Sequence, residues 1–563
     1  MSASFSKALG DYNDGNYHGA LSILSPDRRQ SFVLNELLLI AQCYAKTEKF
    51  ADAASFYIKA AELGGPKQAM LRALAANMLQ EADDSFASLN IARLAAKTGE
   101  FDTNAEETYR RCLHEFLCID EAQMDDQRFL DRLKAGDERY LAAEFPHRHI
   151  GWCGDEGINA RQMKVHDAMA FTPASRASRR AVPHRFSGRI KIGYLSADFS
   201  DQHATMRLFQ SALLQHDPER FDVALFCNTD DDLIKIDKGS RDTYPNLQRI
   251  GHLSDQDAAA VIRNSGIDIL VDLKGHTKGS RAGLLNLGAA PIQVAYLGFP
   301  GSGTGIDCDY ILTDAVVTPE TSRPFYHEKF CLLPDSYQSN DNIGRPLPPA
   351  TPRGALGLPE DRIVFASFNA QRKITPATAE VWADILRRTD DSVLWVMCSN
   401  RFAQDNLVRW MENAGIASDR IIFADPVAYP DHIARLQAAD IGLDTFPYNG
   451  HTTTSDKLWA GLPVPTFKGT HFASRVTESL LRALGVGELV ADTPERYVEL
   501  CVSLAKNPDE LRAVKDKVAA QRTVAPLFDT TRFIRHLEKA FELMIARARN
   551  GQEPDHFAVP AIA

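Results

Sequence analysis

Several features that would assign this 563-residue chain to a protein class are missing from its sequence. None of its nine cysteines forms a CxxC pair, so neither a zinc site nor a disulfide framework is expected, and reduced cytoplasmic thiols fit best. No run of about 18 apolar residues occurs and the N-terminus lacks a signal-peptide pattern, so no membrane span is expected. The net charge of −11 is opposite in sign to the field of a nucleic-acid-binding protein. We therefore expect a cytoplasmic protein without a nucleic-acid partner.

Two common phosphate-binding signatures are also absent. The GK[ST] end of a Walker loop does not occur, and the first strand–helix turn of the α/β region has no GxGxxG. A DxD triplet, Asp307-Cys308-Asp309, runs directly into a predicted strand, so we do not expect it to bind a metal. The basic stretch 176–180 is expected to be a solvated linker.

The first 145 residues are predicted to be helical, because apolar residues recur at three- and four-residue spacing. The best examples are the segments 36–45, 51–63 and 105–116. Tyr17 precedes Phe50 by 33 residues, which suits a tetratricopeptide helix pair, whereas the next step, to Phe101, is 51 residues and does not. We predict a short, degenerate tetratricopeptide-like region at 1–145, with a plain helical bundle as the alternative.

After an irregular, basic connector at 146–188, short β-rich runs alternate with amphipathic helices. This alternation indicates parallel sheets covered by helices on both faces. The proline-rich segment 345–352 interrupts it, which predicts two lobes, at 189–345 and 346–563. Ligands of such sheets bind at the carboxyl ends of the strands, in the cleft between the lobes. The predicted strands are 190–196, 221–227, 267–273, 292–297, 310–312, 363–368, 392–397, 421–424, 441–444 and 464–467.

The segment 449–456, NGHTTTSD, has the pattern of an anion site. A strand leads into the turn at Asn449-Gly450, and three threonines precede a helix predicted to begin at Ser455. Free amides and the dipole of a helix start favour negative charge, and the hydroxyls add donors. Asp456 is placed to accept hydrogen bonds from ribose hydroxyls. The structural alternative is that the threonines only cap the helix.

Three further positions lie at predicted strand ends that face the cleft. Lys373 follows the first strand of the second lobe and is suited to neutralising a pyrophosphate leaving group, unless it is a surface lysine. His203 follows the first strand of the first lobe, near a helix start that lowers its pKa and favours a proton-accepting ring, unless it is structural. Gly301 is one of four glycines in 298–305, which suit close approach to a phosphate or a flexible turn.

Several segments, in their order along the chain, resemble the O-linked N-acetylglucosamine transferase / SPINDLY family over residues 189–544. They are GYLSADFSDQHAT, APIQVAYLGFPGSGTG, ILTDAVVTP, LDTFPYNGHTTTSDKLWAGLPVPTFKG and FASRVTESLL. The resemblance implies an α/β GT-B fold of two Rossmann-like lobes, with an N-terminal all-α tetratricopeptide-like region that recruits acceptor proteins. It also implies inversion at the anomeric carbon, no metal, no cofactor, and a UDP-sugar as co-substrate.

The same resemblance implies roles for individual residues. Lys373 matches the lysine that contacts the diphosphate, and Thr452 and Thr453, which follow His451, match the threonines that bind the phosphates. Asp456 matches the acid that binds the ribose, and His432, with Arg435 nearby, matches the histidine that stacks on the uracil. His203 matches the histidine near the reacting centre. Tyr429 departs from the animal members, which have a lysine there.

The sequence thus predicts inverting, metal-independent transfer of a sugar, first of all N-acetylglucosamine from UDP-N-acetylglucosamine, to Ser/Thr hydroxyls of a protein. A flagellin or surface-protein glycosyltransferase, or a protein O-fucosyltransferase using GDP-fucose, is an alternative with the same fold. A repeat scaffold with inactive lobes and an epimerase of free UDP-sugar are alternatives of other classes.

Overall fold

A computed structural model describes residues 2–26, 31–97, 101–161, 171–235 and 239–562. It divides into two compact units, which are described separately. The first comprises Met1–Glu144, Ile374–Pro376 and Asn400–Trp410, and the second comprises Phe145–Lys373, Ala377–Ser399 and Met411–Ala563.

The first unit consists of paired helices. They are α1 (Ala3–Asn13), α2 (Tyr17–Leu24), α3 (Leu34–Lys46), α4 (Phe50–Leu63), α5 (Gln68–Glu81), α6 (Ser85–Ala96), α7 (Thr103–Glu115) and α8 (Ile119–Lys134). Each helix packs on its neighbours in the sequence, and buried alanines such as Ala53, Ala60 and Ala75 allow close approach. Phe402, from the segment Asn400–Trp410, packs edge-on against Phe86 and Phe116 in this unit.

The loops inside the helix pairs reveal the repeat. Each contains one residue with positive φ, namely Gly15, Glu48, Asp83 or Leu117. The intervals between these positions are 33, 35 and 34 residues, which is the tetratricopeptide period. The predicted step from Phe50 to Phe101 was therefore wrong, because the repeat that begins after Asp83 lies between them.

The second unit begins with a parallel eight-stranded sheet. Its strands are β1 (Ile190–Ser196), β2 (Phe221–Cys227), β3 (Leu247–Arg249), β4 (Ile269–Asp272), β5 (Ile292–Ala295), β6 (Tyr310–Asp314), β7 (Lys329–Leu333) and β14 (Phe557–Ala558). They lie in the order β14-β7-β6-β5-β4-β1-β2-β3, with Ile192 of β1 paired to Val223 and Ile269. Helices cover both faces, which explains why the central strands, such as β4, are buried along their whole length.

A second parallel sheet forms the other lobe of this unit. Its strands β8 (Ile363–Ser367), β9 (Ser392–Met397), β10 (Ile421–Ala424) and β11 (Ile441–Gly442) lie in the order β10-β9-β8-β11, beside a small sheet of β12 (Thr466–Phe467) and β13 (Val490–Ala491). The alternation predicted from the sequence is confirmed in both lobes. The strands that the sequence did not predict, β3, β7, β13 and β14, are short or lie towards the sheet edges.

The remaining helices precede β1 or lie between the strands along the chain. They are α9 (Pro146–His149), α10 (Glu156–Asn159), α11 (Pro173–Ala181), α12 (Ala204–Leu213), α13 (Asp231–Ile234), α14 (Asp255–Asn264), α15 (Ala282–Asn286), α16 (Pro376–Arg387), α17 (Arg401–Asn413), α18 (Tyr429–Leu436), α19 (Thr452–Trp459), α20 (Val476–Ala483), α21 (Pro494–Lys506), α22 (Pro508–Gln521) and α23 (Thr530–Arg549). In the part of the chain described, no helix combines the length and apolarity needed to cross a membrane.

Two local predictions were wrong. The stretch 176–180 is not a solvated linker, because it belongs to α11 and its Arg179, only 4% exposed, forms ion pairs with Asp307 and Asp309. These contacts make the DxD triplet part of a buried ion cluster. The helix predicted from Ser455 begins at Thr452, so the threonines form its first turn. Of the predicted connector, residues 162–170 lie outside the described part.

Candidate active site

A cleft of about 930 Å³ opens between the two lobes of the second unit. Its lining comes from segments that follow the carboxyl ends of β1, β2, β4, β5, β7, β8 and β11. This is where parallel sheets bind ligands, as the topology predicted. Among the predicted site residues, His203, Lys373, His451, Thr452 and Thr453 line this cleft.

The start of α19 forms part of the second-lobe wall. His451 precedes the helix without capping it by its side chain, and the amides of a first helical turn have no intrahelical acceptor. Gly450 is required here, because a Cβ would lie 2.4 Å from Thr454 Oγ1. Its amide donates to Asp444 at 2.8 Å, and Thr453 Oγ1 donates to Asn369 at 2.7 Å. These two bonds fix the turn, so the first turn of α19, with Thr452 and Thr453, lines the cleft on a fixed backbone.

Lys373 lies beside this helix start. Its Nζ donates to the carbonyl of Asn449 at 2.8 Å and lies 3.8 Å from the centre of the Tyr448 ring. Burial, together with the neighbouring charge of Arg372, lowers the Lys373 pKa to about 7. Arg372 also lines the cleft. This side of the cleft is therefore well suited to an anion, which would favour the charged form of Lys373.

The two cleft histidines of this wall are neutral near pH 7. Burial lowers the pKa of His451 well below its ordinary value, and its Nε2 lies 3.2 Å from the Ala473 carbonyl oxygen. His147, from the connector, lies 3.4 Å from the Tyr448 hydroxyl, and burial lowers its pKa to about 3. His147 was not among the predicted site residues; its only sequence signal is a histidine in the segment predicted to be a connector.

The first-lobe wall contains His203 at the N-terminus of α12. Its Nδ1 accepts from the Thr205 amide at 3.2 Å, so a neutral ring carries its proton on Nε2, which lies 3.4 Å from Asp198 Oδ1. The His203 pKa is lowered, which is the predicted direction, but the largest cause is burial rather than the helix start, and Asp198 opposes it. At this distance Nε2 is not hydrogen-bonded to Asp198, so its proton is available to orient a group in the cleft.

An ion pair missed by the sequence analysis lies next to His203. Lys274 Nζ donates to both carboxylate oxygens of Asp198, at 2.6 and 2.7 Å, and both side chains are buried. Arg241 donates to the carbonyls of Ala197 and Phe199 and so holds the loop that contains Asp198. The sequence feature that could have predicted this ion pair is that Asp198 and Lys274 each follow a strand of the same parallel sheet.

The other predicted nucleotide-binding residues lie outside the cleft lining. On α18, Arg435 lies 3.2 Å from His432 Nδ1, and both pack against Phe368, with Arg435 over its ring at 4.6 Å. Burial lowers the His432 pKa to about 3 and the Arg435 pKa to about 10. Asp456 is 4% exposed and accepts from the Tyr429 hydroxyl at 2.8 Å. Their roles stay predictions.

Gly301 also lies outside the cleft lining. It lines a small separate pocket with Ser302, Glu156 and His471, while Leu297 and Gly298 of the same loop reach the cleft. The sequence pattern located a loop next to the cleft but not the residues that face it.

Comparisons with known proteins agree with this architecture. The model of the family described as Glycosyl transferase family 41 matches residues 167–345 and 346–537. The solved structure of a lysine-to-methionine mutant of Thermobaculum terrenum O-GlcNAc transferase superposes with a TM-score of 0.66 and 23% identity, covering 98% of both chains. This likeness confirms the predicted fold class, a GT-B pair of Rossmann-like lobes preceded by a tetratricopeptide-like region.

Two curated relatives share part of their length with the chain. The Arabidopsis thaliana protein named probable UDP-N-acetylglucosamine–peptide N-acetylglucosaminyltransferase SEC is 36% identical over 66% of this chain and 38% of its own. The Caenorhabditis elegans UDP-N-acetylglucosamine–peptide N-acetylglucosaminyltransferase is 28% identical over 73% of this chain and 44% of its own. The chain thus spans about two fifths of the length of the curated relatives it matches. Because the family model covers both lobes, this chain belongs to glycosyl transferase family 41.

Proposed function

We propose that this protein transfers a sugar from a nucleoside diphosphate donor to Ser/Thr hydroxyls of a protein. The favoured sugar is N-acetylglucosamine, and the favoured donor is UDP-N-acetylglucosamine. The observation that carries the proposal is the Lys373 ammonium beside the open start of α19, in a cleft large enough for a nucleotide sugar. The names of the relatives in Arabidopsis and C. elegans support the choice of donor and of a peptide acceptor.

In this proposal the second lobe stabilises the leaving group. As the glycosidic bond to the diphosphate breaks, negative charge grows on the departing phosphate oxygen. Lys373 and the first-turn amides of α19 face that charge, together with the hydroxyl of Thr452 and that of Thr453 once its proton turns away from Asn369. These groups would supply the electrostatic help that a metal ion gives in other transferases, so neither a metal nor a further cofactor is part of the proposal.

The first lobe positions the acceptor. An acceptor hydroxyl that attacks the anomeric carbon from the face opposite the leaving group gives inversion, and its proton must be lost to a nearby group. Asp198, held by Lys274 and next to His203, presents a fixed carboxylate on this wall. We propose that His203 orients the hydroxyl and that the proton of this hydroxyl passes to the Asp198 carboxylate as the new glycosidic bond forms, with Lys274 holding this carboxylate in place.

The nucleoside is proposed to bind between α18 and α19, with the base on His432 and Arg435 and the ribose at Asp456. The repeat helices of the first unit are proposed to recruit the acceptor protein. A cytoplasmic location is also a proposal, supported by nine cysteines of which none forms a disulfide.

The test is intact-mass spectrometry of candidate acceptor proteins after incubation with UDP-N-acetylglucosamine, UDP-glucose or GDP-fucose in parallel. A mass increase of one N-acetylhexosamine with the first donor alone is expected. The Lys373→Met protein should fail, and the Lys468→Met protein, altered at an exposed lysine paired with Asp492, should match the wild type. A fucose increase would assign the donor to GDP-fucose, and no binding of any nucleotide would favour an inactive scaffold.

A further inference from the structure

Tyr429 joins the two helices that flank the proposed nucleoside site. It is the first residue of α18, and its hydroxyl donates to Oδ1 of Asp456 on α19 at 2.8 Å. A hydrogen bond to a carboxylate is charge-assisted and stronger than one between neutral groups. Since Asp456 is almost fully buried, this bond fixes the direction in which its carboxylate faces.

The same carboxylate oxygen also faces Arg345. Arg345 Nη2 lies 3.7 Å from Asp456 Oδ1, and Arg345 Nη1 donates to Ser455 Oγ at 2.8 Å. In the described part of the chain, Oδ2 of Asp456 forms no hydrogen bond, although Oδ1 faces both neighbours. The carboxylate therefore has one oxygen held by the protein and one left for an incoming hydroxyl.

The ring of Tyr429 makes a contact with the other lobe. The guanidinium carbon of Arg207 lies 4.3 Å from the ring centre, within the range of a cation–π interaction. Arg207 belongs to α12, one helical turn after His203 at the start of that helix. The chain of contacts from Arg207 through Tyr429 to Asp456 thus joins the helix that carries His203 to the proposed ribose site.

We propose that Tyr429 is a positioning residue for nucleoside recognition: its hydroxyl aims the Asp456 carboxylate at the ribose diol, and Arg207 holds its ring from the opposite lobe. This inference rests on the proposed function, because it needs a ribose at Asp456. It adds that ribose binding depends on a residue of α18 and on contact between the lobes. An apolar ring alone at position 429 would leave the carboxylate free to turn towards Arg345.

The experiment measures calorimetric affinity for UDP and for 2′,3′-dideoxy-UDP, whose sugar lacks both hydroxyls. The ratio of the two dissociation constants reports the diol contact and cancels contributions from the base and the phosphates. Four variants are compared with the wild type: Tyr429→Phe, Asp456→Asn, Arg207→Leu and Tyr109→Phe. Tyr109 is the matched control, because its hydroxyl donates to the Glu121 carboxylate at 2.9 Å in the first unit.

The wild type should prefer UDP, and Asp456→Asn should lower the ratio towards one. Tyr429→Phe should lower it about tenfold, as expected for losing a hydrogen bond to a charged group. Arg207→Leu should lower it about threefold, the size of a partly exposed cation–π contact, and Tyr109→Phe should leave it unchanged. Thermal unfolding of each variant separates loss of fold from loss of positioning.

A Tyr429→Phe protein that keeps the wild-type ratio would overturn the proposal. So would equal weakening of both nucleotides, which is the result of a merely structural tyrosine. A wild type that binds both nucleotides equally, or neither, would overturn the ribose assignment together with this inference. A wild type that shows the expected ratios but transfers no sugar would overturn the proposed function alone.

Discussion

The two walls of the cleft differ in how their positive charges are balanced. On the first-lobe wall, the positive charge of Lys274 is neutralised by Asp198 at 2.6 Å, and the Arg241 guanidinium is used by backbone carbonyls. On the second-lobe wall, Lys373 and Arg372 form no ion pair with any carboxylate of the described residues. The first-lobe wall therefore contains a carboxylate that balances its lysine, whereas the cations of the second-lobe wall have no such partner.

This difference assigns the walls to different partners. A buried ion pair is fixed in geometry, so the first-lobe wall is suited to holding a neutral acceptor group in one orientation. Unpaired cations and a depressed lysine pKa store unfavourable energy that an arriving anion relieves. The second-lobe wall is therefore suited to the diphosphate.

The largest expected effect comes from breaking the balance of the first-lobe wall. Asp198→Asn should leave Lys274 as an uncompensated buried charge and lower the free energy of unfolding by about 3–5 kcal/mol. Chemical denaturation measures this loss. The double variant Asp198→Asn/Lys274→Met should recover most of the stability but not the transfer activity. Recovery of both would show that the pair serves only the fold.

Removing the cation of the second-lobe wall should affect catalysis instead. Lys373→Met should lower kcat for transfer about 100- to 1000-fold, the usual loss when one electrostatic contact to a developing charge is removed. Stability should hold or rise slightly, because burial already disfavours the ammonium form. Steady-state kinetics with a defined acceptor and a melting curve separate the two effects. A variant with full kcat would contradict the assignment of Lys373.

The pH dependence of UDP binding sharpens the comparison. The Lys373 pKa is lowered to about 7 by burial, Arg372 and Lys457, with Asp444 opposing, so above pH 7 the free site holds mostly neutral lysine. Bound diphosphate favours the charged form, so binding takes up a proton and affinity falls by up to tenfold per pH unit above 7.

Calorimetry between pH 6 and 9, in buffers of different ionisation enthalpy, measures this proton uptake. His451 and His147 stay neutral throughout this range because their pKa values lie far below it. The uptake should disappear in Lys373→Met, and in Arg372→Gln its onset should move to higher pH. Unchanged uptake in Lys373→Met would assign the proton to another group.

The smallest expected effect concerns the helix start. Thr453→Val removes the hydroxyl whose single proton goes to Asn369 in the free protein and would turn to the phosphate in the complex, at a cost of about 1 kcal/mol in UDP affinity. Thr523→Val is the control, because that hydroxyl bonds only to a local carbonyl on the surface. Equal affinities for the two variants would mean that the Thr453 hydroxyl merely stabilises the turn.

Much of the fold was readable because secondary structure leaves a local signal. Buried parallel strands such as Ile190–Ser196 and Ser392–Met397 are mostly apolar, and their predicted bounds agree with the structure. Because parallel strands share one carboxyl edge, those runs also predicted that His203 and Lys373 would line the same cleft. The repeat was only partly readable, because its positive-φ position is filled by four different residues.

The sequence by itself thus determined the alternation of strands and helices, the presence of a turn and helix within 449–456 and the strand ends that reach the cleft. Only the tertiary structure decided which side chains meet: Lys274 with Asp198 across 76 residues, and Arg207 with Tyr429 from the opposite lobe. It also turned Gly301 away from the cleft and brought His147 into it. The physical reason is that periodicity encodes each element locally, whereas a contact between distant elements depends on how both pack against the rest of the protein.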